Sequence, residues 1–332
     1  MGKLTGQPGL KSSQFKLRYQ SYAWLSREYC QRVNATITAV RNQASDFAEL
    51  CKPRIATLVL VTTFAGMWLA GNGRLTLDLL AFTLIGTALA SAASGALNNY
   101  VDREVDKQMA RTRMRALPSY RLHPQQALWL GVMFSMWSFA ILFYLVNPLT
   151  AYLALATTLF YVVVYTMWLK RTSPLCTEIG GVAGAAPPLI GWAAVTNDIG
   201  WPAVMMFIIM FIWQPPHFWS LALLRADEYR RAGLPMLPVA RGERATKIKM
   251  LAYTVALVPA STAMYWLGFV GITYLVSSAA LGVAYLLMTI DFARKPITPQ
   301  GTRRLFGFSI LYLLGLFTLI FVDCRCSGGI IW

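Results

Sequence analysis

Nine long apolar segments, separated by short polar breaks, constrain this chain more than any other feature of its sequence. They lie at approximately 55–71, 76–100, 124–146, 148–168, 178–196, 200–224, 249–268, 270–290 and 305–323. Each is close to the roughly 20 residues that an α-helix needs to cross the hydrocarbon core of a bilayer. Because the bilayer offers no water to the backbone, such segments favour helices, whose hydrogen bonds are internal. The sequence therefore predicts an all-α, polytopic membrane bundle of nine transmembrane helices.

The composition excludes the soluble classes of protein. Of the 332 residues, 56% are hydrophobic and 13% are charged, whereas soluble domains carry about 25% charged residues. A disordered basic protein and a soluble nucleic-acid binder are both excluded, so we expect a lipid bilayer and no nucleic acid as partner. The predicted organisation is a basic N-terminal arm over 1–50, the transmembrane domain over 51–323 and a short tail over 324–332.

The net charge of +16 is distributed asymmetrically along the chain. Nine Lys and Arg residues precede the first span, and six, two, seven and four more fall in or at the ends of alternate loops. The opposite set of loops and the C-terminus hold two of the 30. Since basic residues stay on the cytoplasmic side, we expect a cytoplasmic N-terminus and a C-terminus on the other side.

The two ends of the chain leave the host membrane open. The first 45 residues carry seven basic residues and one acid, Glu28, which fits either a mitochondrial transit peptide or an arm lying on anionic lipid. We expect a bacterial inner membrane, with the mitochondrial inner membrane as the alternative. The five cysteines imply no disulfide framework, and the pair Cys324 and Cys326 lacks the four ligands of a structural metal site.

A cluster of acidic and amide side chains follows the second span. If the helix continues, Asn98, Asp102 and Asp106 lie on one stripe with Asn99 beside them, because residues four apart share a helix face. Glu104 points away from that stripe. Oxygen-bearing side chains of this kind are typical ligands of Mg²⁺. The topology rule explains basic residues in such a loop but not these acids.

Basic side chains that could bind phosphate follow this cluster in the sequence. Arg111 and Arg115 follow it directly, and Lys170 and Arg171 come after the fourth span. Arginine binds phosphate oxygens with two parallel hydrogen bonds. For Lys170 and Arg171, a role as topology markers alone is an equal alternative. Acids followed by arginines at a membrane surface predict a site for a diphosphate with an apolar tail.

A second group of residues lies at the end of the sixth span. Pro215 and Pro216 are expected to break the helix, which membrane proteins tolerate where backbone lines an enclosed cavity. Asp227 and Glu228 are candidates for a second metal-binding side. His217, deeper in the span, is a candidate proton carrier or iron ligand, and a hydrogen-bonded core histidine is the alternative.

These segments resemble a known family. The first of them is similar to the first signature of the UbiA superfamily of intramembrane prenyltransferases. It consists of Asn98 and Asn99, followed by Asp102, Asp106 and then Met109-Ala110-Arg111-Thr112. The segment Pro216-His217-Phe218-Trp219 with its downstream acids resembles the branch of that superfamily that acts on haem. The resemblance covers about residues 45–320, and Asn99, Ala116 and Glu178 depart from the common pattern.

The resemblance implies transfer of a farnesyl group from farnesyl diphosphate to a vinyl group of haem B, which yields haem O and diphosphate. It implies Mg²⁺ as the cofactor and His217 as a group that orients the porphyrin, and it suggests haem A synthase or oxidase assembly factors as protein contacts. The site residues fall into two sets. The metal ligands would be Asn98, Asn99, Asp102 and Asp106, with Asp227 or Glu228 opposite. The diphosphate would be bound by Arg111, Arg115, Lys170 and Arg171.

Three other functions fit parts of the same pattern. A prenyltransferase acting on an aromatic acid such as 4-hydroxybenzoate would share the first motif, and the segment around His217 would distinguish it. A secondary transporter would also contain broken helices and intramembrane charge, but no repeated pair of interrupted spans is seen. A non-catalytic scaffold for oxidase assembly would tolerate the loss of Asp102 and Asp106.

Overall fold

The computed structural model describes residues 43–323, of which residues 49–323 form a bundle of α-helices. A short helical stretch over 43–50 precedes the bundle. The predictions for the N-terminal arm before residue 43 and for Cys324 and Cys326 lie outside the described residues. The helices are α1 (Pro53–Ala70), α2 (Leu77–Lys107), α3 (Pro124–Leu145), α4 (Pro148–Leu159, continued by a π-helix over Phe160–Leu169 and a turn at Lys170–Thr172), α5 (Cys176–Ala185), α6 (Pro187–Thr196), α7 (Trp201–Leu224), α8 (Ala226–Arg231), α9 (Leu237–Trp266), α10 (Ile272–Arg294) and α11 (Pro299–Asp323).

The predicted spans correspond closely to these helices. Eight helical segments in the described part of the chain are long and apolar enough to cross a membrane: α1, α2, α3, α4, the α5–α6 pair, α7, α10 and α11. The remaining predicted span, 249–268, lies on α9. The first half of that helix carries charged residues, so α9 as a whole is less apolar than the eight spanning segments. The predicted boundary between the third and fourth spans is confirmed, since Asn147 Oδ1 accepts a hydrogen bond from Thr150 N at 2.9 Å and so begins α4.

The outer surface of the bundle is apolar. Large hydrophobic side chains are exposed along several helices, among them Trp129, Tyr144, Trp168, Val276, Leu287 and Leu311, each more than half exposed. Exposed apolar surface of this extent marks contact with lipid or another protein. Together with the eight spanning helices, it identifies a multi-pass membrane protein.

The prediction that Pro215 and Pro216 break the sixth span is wrong. Helix α7 runs through both prolines, and both are buried. Each proline removes one intrahelical hydrogen bond, but the packing around α7 holds the helix together. The helix break lies instead at Ala186, before Pro187, where the fifth span divides into α5 and α6.

Close packing of small residues holds the inner helices together. A Cβ atom placed on Gly191 of α6 would lie 1.9 Å from the carbonyl oxygen of Thr63 on α1. A Cβ atom on Gly184 of α5 would lie 2.2 Å from Gln214 Oε1 on α7. Gly184 and Gly191 therefore allow the close approach of neighbouring helices. This packing brings α1, α5, α6 and α7 together around the site described next.

Candidate active site

The predicted polar stripe exists on the last turns of α2 and is buried. Asn98, Asn99, Asp102 and Asp106 are each no more than 5% exposed. Asn98 Nδ2 donates to Asp102 Oδ2 at 2.9 Å. Glu104 points away, as predicted: its side chain is 64% exposed and pairs with a lysine on the same helix. Two buried carboxylates and two buried amides at the end of a membrane helix require compensating partners.

Basic side chains from other segments supply those partners. Lys170 Nζ donates to Asp102 Oδ2 at 2.5 Å, and a guanidinium nitrogen of Arg171 lies 3.6 Å from Asp102 Oδ1. Arg115 Nη1 donates to Asp106 Oδ2 at 2.8 Å. Three of the four residues predicted to bind diphosphate therefore contact the two predicted metal-binding carboxylates. The site is a compact group of alternating charges.

The end of α4 runs parallel to the end of α2, and this alignment places Lys170 beside Asp102. Asn98 Nδ2 donates to Thr166 Oγ1 at 3.1 Å, and Asp102 contacts Lys170, so residues four apart on one helix meet residues four apart on the other. Thr166 lies in the π-helix, and its hydroxyl donates to the carbonyl of Tyr161, five residues earlier. π-Helical turns are frequent at functional sites, where they change the direction of side chains.

Lys52, which precedes α1, also reaches this site. Its ammonium donates a hydrogen bond to Asn98 Oδ1. Burial, and then the positive charges of Arg115 and Lys170, lower the pKa of Lys52 to about 7, while Asp102 and Asp106 oppose that shift. Sequence reasoning missed Lys52 because its position beside the first span looks like an ordinary topology marker.

Asn99 has a different role from Asn98 in this structure. Its Nδ2 donates to the carbonyl of Gly95 at 3.0 Å and to that of Leu50 at 3.1 Å. The side-chain amide thereby ties the segment before α1 to α2. Asn99 is thus at the site, as predicted, and it also holds the backbone that carries Lys52.

Arg111 lies at the outer edge of the same group and is exposed. Partial burial of its guanidinium and the positive charges of Arg115 and Arg225 lower its pKa, while Tyr229 and Asp106 raise it. Arg111 therefore lies in the loop after α2, near charged groups of the segment around α8. An anion bound here would relieve the repulsion among these arginines.

The structure does not bring the second predicted acid pair together with the first. The side chain of Asp227 is 83% exposed and pairs with Arg230 at 2.5 Å. Glu228 differs, because its Oε2 is buried and has no hydrogen-bond partner within residues 43–323. Across that range, no three His, Cys, Asp or Glu side chains group as metal ligands. Glu178, one of the three departures from the family pattern, is buried and pairs with Lys249 at 2.6 Å.

His217 lies on α7 between two aromatic rings. Its imidazole stacks on Trp213 and on Phe306, each with ring centroids 4.4 Å apart. His217 Nδ1 lies 2.6 Å from Ser309 Oγ, and Ser309 Oγ donates to the carbonyl of Phe306 at 2.6 Å. With the single serine proton on the Phe306 carbonyl, the serine oxygen accepts from His217 Nδ1, and in this tautomer Nε2 keeps its lone pair.

An apolar cavity of about 360 Å³ lies between Lys52 and His217. Its wall is formed by α1, α2, α4, α5, α6 and α7 and includes Lys52 and His217. Tyr161 and Tyr165 also line it, with their rings stacked 5.3 Å apart. This volume falls within the roughly 300–1,000 Å³ of small-molecule pockets. Lys52, which contacts the acid stripe through Asn98, and the imidazole of His217 therefore border one cavity.

Sequence comparison places the chain among named relatives. It is 50% identical to the protoheme IX farnesyltransferase of Symbiobacterium thermophilum over 84% of this chain and 93% of that protein. It is 43% identical to the protein of the same name from Gloeobacter violaceus, over 88% and 96%. For the Aquifex aeolicus protein of that name, the identity is 42% over 86% and 98%.

Solved structures share the fold at low sequence identity. A digeranylgeranylglyceryl phosphate synthase superposes with a TM-score of 0.71 at 16% identity, covering 85% of this chain and 98% of that one. A UbiA homolog from Archaeoglobus fulgidus bound to DMAPP and Mg²⁺ gives 0.60 at 17% identity, over 83% and 99%. The family model described as "UbiA prenyltransferase family" matches residues 59–321. Buried acids, their basic partners and this match agree: the chain belongs to the UbiA prenyltransferase family.

Proposed function

We propose that this chain transfers the farnesyl group of farnesyl diphosphate to a vinyl group of haem B, with haem O and diphosphate as products. The observation that carries the proposal is the cavity, whose wall contains His217 and also Lys52, the residue that contacts the buried acid stripe through Asn98. Relatives at 42–50% identity named protoheme IX farnesyltransferase support this reaction over one with an aromatic acid.

The donor set fits Mg²⁺. Mg²⁺ is usually bound through one or two carboxylates together with substrate phosphates rather than by a complete protein cage. Asp102 and Asp106 supply the carboxylates, and Asn98 and Asn99 lie beside them, whereas Glu228, whose buried Oε2 has no partner among residues 43–323, does not group with these acids. When bound, the metal supplies positive charge that stabilises the leaving diphosphate. Asp227 is left out of this set because its carboxylate is mostly exposed.

The basic residues bind the diphosphate. Arg115, Lys170 and Arg171 already meet at the carboxylates, and Arg111 lies at the outer edge. Charge-assisted hydrogen bonds from these groups stabilise the anion as the allylic C–O bond breaks. The stacked rings of Tyr161 and Tyr165 border the cavity, where they can stabilise the allylic cation and exclude water.

The remaining steps take place along the cavity. The vinyl carbon attacks the allylic cation, a water molecule captures the new cation next to the porphyrin, and loss of one proton leaves a hydroxyl group. His217 orients the haem, because its Nε2 has a free lone pair and its ring is held on both faces. An imidazole in this state is suited to bind the haem iron.

We infer a bacterial inner membrane, because the first 45 residues lack the arginine richness of a transit peptide. We place the N-terminus and the active site on the cytoplasmic side, because 28 of the 30 basic residues fall on that side of the predicted topology. Haem A synthase and oxidase assembly factors are the protein partners that the reaction would serve.

The test is a reaction with purified protein. Haem B, farnesyl diphosphate and Mg²⁺ are incubated with the chain, and the product is identified by mass. A mass increase equal to one farnesyl group plus one hydroxyl group supports the proposal, and chelation of the metal should abolish it. Prenylated 4-hydroxybenzoate in a parallel reaction, with unmodified haem B, would instead establish the aromatic acceptor.

A further inference from the structure

Lys52 has an unusual backbone for its position at the start of α1. Its φ and ψ are 50° and 59°, the left-handed region that non-glycine residues rarely occupy. Its carbonyl accepts hydrogen bonds from Ile55 N at 2.9 Å and Ala56 N at 3.2 Å. The backbone of Lys52 therefore begins the helix while its side chain turns into the bundle.

Two neighbours hold the segment in this conformation. Asn99 Nδ2 donates to the carbonyl of Leu50 at 3.1 Å. Gly95 allows the close approach, because a Cβ atom there would lie 2.7 Å from that same carbonyl oxygen. A strained backbone persists where its surroundings determine it, and such residues cluster at functional sites. The strain here places one ammonium on Asn98 Oδ1.

The charged side chains around Lys52 carry a net positive charge, which favours the binding of an anion. Asp102 and Asp106 carry two negative charges, whereas Arg115, Lys170 and Arg171 already carry three positive ones. A protonated Lys52 adds to the excess. Asn98 Oδ1 cannot readily bind a metal ion while it accepts a hydrogen bond from this ammonium, because the two cations repel each other.

We propose that Lys52 binds the diphosphate of the prenyl substrate, and that its transfer from Asn98 Oδ1 to a phosphate oxygen frees that amide oxygen for the metal. Lys52 thereby couples the binding of the diphosphate to the binding of the metal. The inference rests on the proposed function, which places both at this site. It makes Lys52 a further substrate-binding residue, acting beside Arg115 and Lys170.

The experiment measures binding of Mn²⁺, a paramagnetic probe for Mg²⁺, with and without inorganic diphosphate. Lys52→Met removes the charge and keeps the length of the side chain. Without diphosphate, the variant should bind Mn²⁺ more tightly than the wild type, because Asn98 Oδ1 is free. The strengthening of Mn²⁺ binding by diphosphate should fall about tenfold, a typical size for coupling between two ligands. Arg54→Met is the matched control, because Arg54 is exposed two residues later.

Comparing Mn²⁺ binding without and with diphosphate separates the proposed role of Lys52 from a general disruption of the site. Local damage to the site would weaken both ligands, whereas the proposal requires opposite changes for metal and diphosphate, with Lys52→Arg close to the wild type. If Lys52→Met matches Arg54→Met while wild-type binding of Mn²⁺ still depends on diphosphate, the role of Lys52 is wrong and the proposed site stands. If wild-type Mn²⁺ binding does not respond to diphosphate, the proposed diphosphate site fails as well.

Discussion

At the scale of single residues, each of the two buried carboxylates on α2 is balanced by basic side chains from beyond that helix. Asp102 is balanced by Lys170 and Arg171, and Asp106 by Arg115. Removing one partner of a buried pair leaves an uncompensated charge and is costly. The same pairs make the site selective for a metal ion together with an anion. The anion can bind the basic side chains while the metal ion binds the carboxylates.

Removing either carboxylate should abolish most of the activity. Asp102→Asn or Asp106→Asn removes a charge that we assign to the metal, and we expect farnesyl transfer to fall by about 100-fold or more. Glu104→Gln is the control, since its side chain is 64% exposed and lies off the stripe. The measurement is the rate of haem O formation at saturating Mg²⁺. Near wild-type rates in both Asp variants would contradict the metal assignment.

Ser309 should control how His217 meets the haem. Its hydroxyl accepts from Nδ1 and so keeps Nε2 free, and partners of this kind change ligand affinity by about 10–100-fold. We expect Ser309→Ala to weaken haem B binding, measured from the absorbance change on titration, and His217→Ala to remove that change. Ser278→Ala is a matched control, because Ser278 is also buried and donates to its own helix. Equal affinities in the two serine variants would contradict this role.

At the scale of helices, the site depends on how close and how well registered its elements are. The segment before α1 lies against α2 because Gly95 has no side chain, and α4 matches the spacing of α2 through its π-helical end. A shift of one residue in either helix would separate Lys170 from Asp102. The elements therefore act as rigid carriers of the charged side chains.

Gly95→Ala tests this close approach. The added Cβ atom would lie 2.7 Å from the carbonyl oxygen of Leu50, so the segment carrying Lys52 has to move. We expect a lower thermal stability and a higher KM for farnesyl diphosphate. Gly307→Ala is the control, because no atom lies within 4 Å of its added Cβ and alanine favours a helix over glycine by about 0.5–1 kcal/mol. An unchanged KM in Gly95→Ala would contradict the argument.

At the scale of the whole molecule, an apolar exterior surrounds a cavity whose two ends differ. The charged group lies at the end of the bundle where α2 and α4 finish. The wall residues furthest from it along their helices include Thr62, Thr87, Ile190 and Met210. The depth between these ends should therefore set the length of prenyl chain that the cavity accepts.

Narrowing the deep end should shorten the preferred substrate. Ala90 on α2 lines the cavity and is 8% exposed, so Ala90→Phe fills space that the end of a farnesyl chain would occupy. We expect kcat/KM to fall for farnesyl diphosphate and to fall less for geranyl diphosphate. Ala81→Phe on the same helix is the control, because Ala81 is exposed on the outer surface. A parallel loss with both substrates would show that the cavity does not set chain length.

The order of the helices and the polar stripe were predictable from the sequence because both depend on local periodicity. Asn98, Asp102 and Asp106 share a face of α2 by their spacing alone. The path of α7 was not predictable in this way. Pro215 and Pro216 usually break a helix, and here the surrounding packing outweighs the two lost hydrogen bonds.

By itself, the sequence determined the all-helical membrane fold, the positions of most spans, the acid stripe and the family. The first three follow from hydrophobicity and spacing within about 20 consecutive residues, and the family follows from the resemblance of the motif that begins at Asn98. Only the tertiary structure decided that Lys52 reaches Asn98, that Lys170 pairs with Asp102 and that Ser309 faces His217. These partners lie 46, 68 and 92 residues apart. Their meeting depends on how whole helices pack, a property that no local pattern contains.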